Sequence, residues 1–79
     1  MAMHKQLGPH LYATRKVDKR GPYWRFTNAL GDFVSDAPDM SIEAAVERMR
    51  RIDRIEPKSV DWFDDVDGGA GTVTPATQH

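Results

Sequence analysis

The sequence predicts an α+β fold: a three-stranded antiparallel sheet with one helix packed across one face. A short helical turn and a disordered C-terminal tail are expected to follow. Three observations carry this expectation. Residues Tyr23-Trp24-Arg25-Phe26 open a stretch whose side chains alternate with the period of a strand. From Ile42 to Ile52 the apolar residues recur at helical spacing instead. Between the two stand a Gly31-Asp32 turn and a helix-start serine, Ser41. A chain of 79 residues holds one domain at most, and the boundaries expected are an arm at 1–9, a domain at 10–66 and a tail at 67–79.

The arm ends at Gly8-Pro9. The first strand runs from His10 to Asp18, with Leu11, Ala13, Arg15 and Val17 on one side and Tyr12, Thr14, Lys16 and Asp18 on the other. Lys19-Arg20-Gly21-Pro22 is a turn signal, because glycine tolerates positive φ and proline cannot donate to a central ladder. The second strand, Tyr23 to Ala29, presents Trp24, Phe26 and Asn28 on one face and Tyr23, Arg25 and Thr27 on the other. Leu30-Gly31-Asp32 turns the chain into a short third strand, Phe33-Val34-Ser35, which Asp36-Ala37-Pro38-Asp39 ends.

Ser41 can accept from a free N–H of the first helical turn, and Glu43 complements the helix dipole. Ile42, Ala45, Val46, Met49 and Ile52 form the stripe that covers the sheet, and Glu47–Arg51 is an i,i+4 ion pair. Arg48, Arg50, Arg51 and Arg54 gather towards the C-terminal end, balanced by Glu43, Glu47, Asp53 and Glu56. Pro57 stops the helix. Ser59-Val60-Asp61-Trp62-Phe63 reads as one more helical turn, with Trp62 or Phe63 docked on the core edge. The Gly- and Thr-rich stretch from Asp67 has a tail's composition.

Composition narrows the function classes. No apolar run approaches the length of a membrane span, and Met-Ala-Met-His-Lys-Gln lacks a signal peptide's apolar core, so a cytoplasmic protein is expected. Without cysteine there is no disulfide or thiolate ligand, and packing or dimerisation must supply stability; a homodimer is expected. The net charge of -1 hides an asymmetry. Residues 1–35 are net basic through Lys5, Arg15, Lys16, Lys19, Arg20 and Arg25, and the remainder is net acidic. Solvated faces account for this pattern, and so would a basic sheet meeting an anionic partner.

Leu11-Tyr12, Asp18, Gly21, Trp24-Arg25-Phe26, Gly31-Asp32, Val34, Asp36, Met40-Ser41, Ala45, Met49 and Ile52 together resemble the YegP-like family of small β-β-β-α proteins. The resemblance covers about residues 11–52. It departs at Leu30, where asparagine is usual, at Met40, where an aromatic precedes the serine, and at Pro38, which comes before Asp39-Met40. It implies three antiparallel strands and a helix, often paired into a dimer that shares its sheet or helices, and it carries no catalytic residues. Leu11-Tyr12 and the Tyr23-Trp24 strand with its glycine turn are also similar to phage integrase arm-binding domains, a likeness that would put the sheet in a DNA major groove.

The side chains do not supply an obvious reaction. His4, His10 and His79 lack ligand spacing, so no metal is expected. Asp61, Asp64, Asp65 and Asp67 before Gly68 resemble a calcium loop, but that register puts Phe63 at the first ligand position and Thr74 where a bidentate carboxylate is needed. Ser35, Ser41 and Ser59 have turn or capping uses, Asp36 and Asp39 likewise, and Gly68, Gly69 and Gly71 precede no helix that could cradle phosphate. No enzyme, cofactor or small-molecule substrate is expected.

A recognition surface remains. With Trp24 and Phe26 facing the helix, Tyr12, Lys16, Tyr23 and Arg25 point away from it, and Lys19 and Arg20 of the hairpin extend the patch. Amphipathic tyrosines beside cations suit a protein interface. The same residues could stack on bases and contact phosphates. The expected function is therefore a small non-enzymatic interaction or regulatory module, of the kind a mobile element encodes to inhibit a host protein complex, binding a protein through its sheet face or edge. The alternative is a DNA-binding accessory protein that uses the basic hairpin and the outer face.

Overall fold

The structure, a computed structural model, describes residues 10–75. The elements in chain order are β1 (His10–Asp18), β2 (Gly21–Thr27), β3 (Phe33–Pro38), α1 (Ile42–Asp53), β4 (Ser59–Asp64) and β5 (Ala70–Val73). They form one helix and a five-stranded mixed sheet ordered β3-β2-β1-β4-β5. The α+β class holds, but the three-stranded antiparallel sheet is corrected to five strands, of which β1 and β4 run parallel.

The first three strands are local hairpins. Lys19 and Arg20 make the β1–β2 turn, with Asp18 opposite Gly21 and Asp18 Oδ1 accepting from the Arg20 N–H at 2.8 Å. Asn28 organises the next turn: its Oδ1 accepts from the N–H groups of Leu30 and Asp32, both at 2.9 Å, and Gly31 takes φ 88°. β3 runs on to Pro38 instead of stopping at Ser35, because Asp36 and Ala37 continue the ladder opposite Arg25 and Trp24.

β3 and β4 both run in the direction of β1, so the chain between them must cross the sheet. α1 is that crossover. Ser41 Oγ accepts from the Ala44 N–H at 3.2 Å, and the helix closes at Arg54 in the left-handed conformation (φ 60°), whose N–H bonds Arg50 O. Ile42, Ala45, Val46 and Met49 are buried against Leu11, Ala13, Trp24, Phe26, Ala37 and Val60. Ile52, expected on the stripe, is exposed instead, since ten residues after Ile42 the helix has rotated towards the stripe's edge. Glu47 pairs with Arg50 rather than Arg51, and Arg50 reaches on to Glu56.

Two further expectations are corrected at the C-terminal end. Ser59–Asp64 is not a helical turn but a strand, with Val60 fully buried and Trp62 packed on the core beside Trp24 at 6.1 Å between ring centroids. Part of the expected tail is strand β5, paired antiparallel with β4. Its glycine has a packing reason: a Cβ on Gly71 would lie 2.9 Å from the Trp62 indole, so the ring needs a bare backbone beneath it. The expected arm at 1–9 and residues 76–79 lie outside the described residues. Among the described residues no helix is long and apolar enough to cross a membrane.

Candidate functional site

Alternation divides the sheet into two chemically different faces. The face under α1 carries the core. The other carries no helix among the described residues, and the ladders assemble it residue by residue: Lys16 opposite Tyr23, Thr14 opposite Arg25 and Tyr12 opposite Thr27. On one flank Arg25 stands opposite Asp36 and Tyr23 opposite Pro38; on the other, Tyr12 stands opposite Asp61 and Thr14 opposite Phe63. Tyr12, Lys16, Tyr23 and Arg25 thus share one surface, and Lys19 and Arg20 project from the hairpin at its end.

Arg25 is the centre of this face. Its guanidinium lies 5.6 Å from the Tyr23 ring centroid and 5.3 Å from that of Phe33, within cation–π range of both. Nε donates to Asp36 Oδ1 at 3.0 Å and Nη2 to Oδ2 at 3.3 Å, a two-point pair that raises the guanidinium pKa further and cancels its charge. Phe33 and Phe63, both exposed, extend the aromatic surface. The sequence places Phe33 only in the third strand and leaves docking at the core edge to Trp62 or Phe63. The opposed positions of Trp62 and Phe63 in one alternating strand are the signal that separates them. A shallow recess of about 800 Å³ runs from Arg20, Tyr23 and Arg25 around the β3 edge past Asp36 and Pro38.

At the far end of the face, parallel pairing brings together residues almost fifty positions apart. His10 Nδ1 lies 2.7 Å from Ser59 Oγ, and Nε2 lies 3.1 Å from Asp61 Oδ2. Thr72 donates to Asp61 Oδ1 at 2.6 Å, and the His10 ring meets Tyr12 edge-on at 4.9 Å. The Thr72 hydroxyl, followed by His10, holds the Asp61 carboxyl below the usual carboxylate range. An ionised Asp61 only accepts, so Nε2 carries the proton and a neutral ring accepts from the Ser59 hydroxyl through Nδ1. These are the residue types of a nucleophilic relay. Here they form a clasp between the starts of β1 and β4.

Arg15 is the strongest electrostatic feature, and it lies on the helix-covered face. Its side chain is only 14% exposed and contacts three carboxylates: Asp39 at 2.8 Å, Asp67 at 2.7 Å and Asp64 at 3.2 Å. Asp64 also accepts from the N–H groups of Asp67 and Val66, both at 2.9 Å. Those backbone bonds first, and Arg15 after them, lower the Asp64 pKa. Of the acidic residues that resemble a calcium loop in sequence, Asp64 and Asp67 therefore converge on an arginine that ties the β3–α1 loop to the β4–β5 turn, while Asp61 lies on the other face with His10 and Thr72. Among the described residues no group of three or more His, Cys, Asp or Glu is arranged to hold a metal ion.

No family model, curated protein or solved structure matches the chain.

Proposed function

We propose that this protein is a small non-enzymatic interaction module, regulatory in character, that binds a protein partner through the uncovered sheet face. The observation that supports this reading most is the state of Arg25: stacked between Tyr23 and Phe33 and neutralised by Asp36. An aromatic, hydrogen-bonding and nearly charge-compensated surface fits a protein interface, where aromatics and arginine are enriched and net charge is low at the centre. A phosphate-binding surface needs free cations. On this face Asp36 pairs with Arg25 and Asp61 with His10, and the cations without an ion-pair partner among the described residues, Lys16, Lys19 and Arg20, gather towards the hairpin end. That end is what supports the alternative, DNA binding through the hairpin.

Affinity capture from the native host with three baits tests the reading: the wild type, a Tyr23→Ala/Phe33→Ala face variant, and an Arg51→Ala/Ile52→Ala helix variant, whose two positions are exposed and lie outside the recess. The wild type and the helix variant are expected to retain the same protein, and the face variant to lose it. Equal retention by all three baits would refute the assignment. Retardation of duplex DNA that weakens steeply with salt, and disappears in a Lys16→Ala/Lys19→Ala/Arg20→Ala variant, would transfer the function to the alternative.

A further inference from the structure

The two edges of the sheet differ in a way that the face-binding reading does not use. β3 carries Asp36 and Pro38, a charge and a proline of the kind that discourage further strand pairing. β5 and the residue after it, Ala70-Gly71-Thr72-Val73-Thr74, contain neither, and among the described residues no strand pairs with their outer side. The hydrogen-bonding phase of this edge follows from the turn before it. The Asp64 N–H bonds Gly69 O at 2.9 Å and the Gly68 N–H bonds Asp64 O at 2.8 Å, with Gly68 at φ 78°, a glycine-bulged hairpin turn. Alternation along an antiparallel ladder then directs the N–H and C=O groups of Gly71 and Val73 towards β4, and those of Ala70, Thr72 and Thr74 outwards.

We propose that this outward row pairs antiparallel with the same row of a second copy, about a two-fold axis at Thr72, joining two sheets edge to edge. In that register Thr72 faces Thr72 of the second copy, Ala70 faces Thr74, and Gly71 faces Val73. The side chains are what favour a copy of the same chain. A two-fold axis sets equivalent residues against one another, so a charge at Thr72 would oppose itself; the edge carries no charge, and a Thr–Thr pair is a favourable cross-strand partner. Large meets small on the helix side as well. The valine of the second copy arrives over Gly71, beside the Trp62 ring that already occupies that glycine's space. Pairing this edge leaves the uncovered sheet face free, and the joined sheets present it twice.

Light scattering at micromolar to hundred-micromolar concentration should approach about twice the 8.9 kDa chain mass. Thr72→Pro, which removes an outward N–H without touching the β4 ladder, should give the monomer mass. Thr72→Val, which loses the same hydroxyl but keeps the N–H, should stay dimeric. A register-specific variant does not depend on how well the proline is tolerated. In Thr72→Cys the two Cα atoms would lie about 5.5 Å apart, inside the roughly 4.4–6.8 Å that a disulfide spans. The chain has no other cysteine, so mild oxidation should convert it to a covalent dimer. Ala70→Cys should not cross-link, because its two copies would sit about 13 Å apart along the strands. A wild-type monomer throughout the range, whether its edge is bare or covered by residues 1–9, would overturn the proposal. So would a dimer in which Ala70→Cys cross-links and Thr72→Cys does not. Neither result bears on partner capture by the sheet face.

Discussion

Single residues decide which face of this sheet can meet a partner and which is closed. Arg15 occupies a position that alternation assigns to the core side, and it is tolerated there because Asp39, Asp64 and Asp67 supply the acceptors a nearly buried guanidinium requires. Its position on that side follows from the strand period. Its partners do not, because two of them come from a turn some fifty residues later. The pH dependence follows from the carboxylates. Asp64 and Asp61 both titrate below their ordinary range in the folded chain, so they contribute stability above the unfolded value of about 4 and lose it as the pH falls through the folded values. Thermal melting should be nearly flat from pH 7 to 5 and fall below about pH 4. Asp64→Asn keeps an oxygen for the Val66 and Asp67 N–H groups but removes the titrating charge, and should flatten that acid limb; an unchanged slope would contradict the assignment. Gly71 is a second decisive residue. Gly71→Ala should cost about 1–3 kcal/mol in denaturant unfolding, because the methyl would lie 2.9 Å from an indole that is itself held against the core. A change within a few tenths of a kcal/mol would show that the ring is free to move aside.

Elements were legible in the sequence in proportion to how local their reasons are. The β1 and β2 faces, both hairpin turns and the Ser41 cap rest on neighbours in the chain, and residues 10–53 fold largely as their periodicity predicts. Ser41→Ala should therefore cost about 1 kcal/mol, measured by chemical denaturation. β4 is different. Aspartate at Asp61 and Asp64 lowers its strand preference, and the strand forms because β1 offers a parallel partner 49 residues away, which a local pattern does not encode. β5 is hidden further, since Gly69 and Gly71 look like linker residues until Trp62 is placed above them. The candidate surface divides in the same way. Tyr12, Lys16, Tyr23 and Arg25 were readable from the hairpin, whereas Phe63 and the His10–Ser59–Asp61 clasp depend on the crossover. Truncation after residue 66 separates the two descriptions. Loss of a disordered tail would leave thermal unfolding unchanged. Loss of β5 and of the Asp67 contact to Arg15 should uncover Trp62, red-shift tryptophan emission and lower the melting temperature by several degrees or abolish a cooperative transition.

At the scale of the molecule, one helix covers one side of a five-stranded sheet, and the other side is left aromatic and nearly neutral at its centre. An antiparallel or mixed sheet can present such a face to water. This face concentrates Tyr12, Tyr23, Phe33 and Phe63 around an arginine that is already paired, which is a combination suited to protein recognition. Its margin of cations and its two unlike edges give the surface a direction. The proposed function requires that contact with a partner be made on the sheet side and not on the helix side. Site-specific photo-crosslinking in the native host measures this directly. A photoreactive phenylalanine derivative replaces Phe33 or Phe63 on the sheet side and, for comparison, the exposed Ile52 on the helix. The account predicts a cross-linked protein adduct of one common mass from the two sheet positions and none from the helix position. An adduct from position 52 alone, with positions 33 and 63 silent, would contradict it.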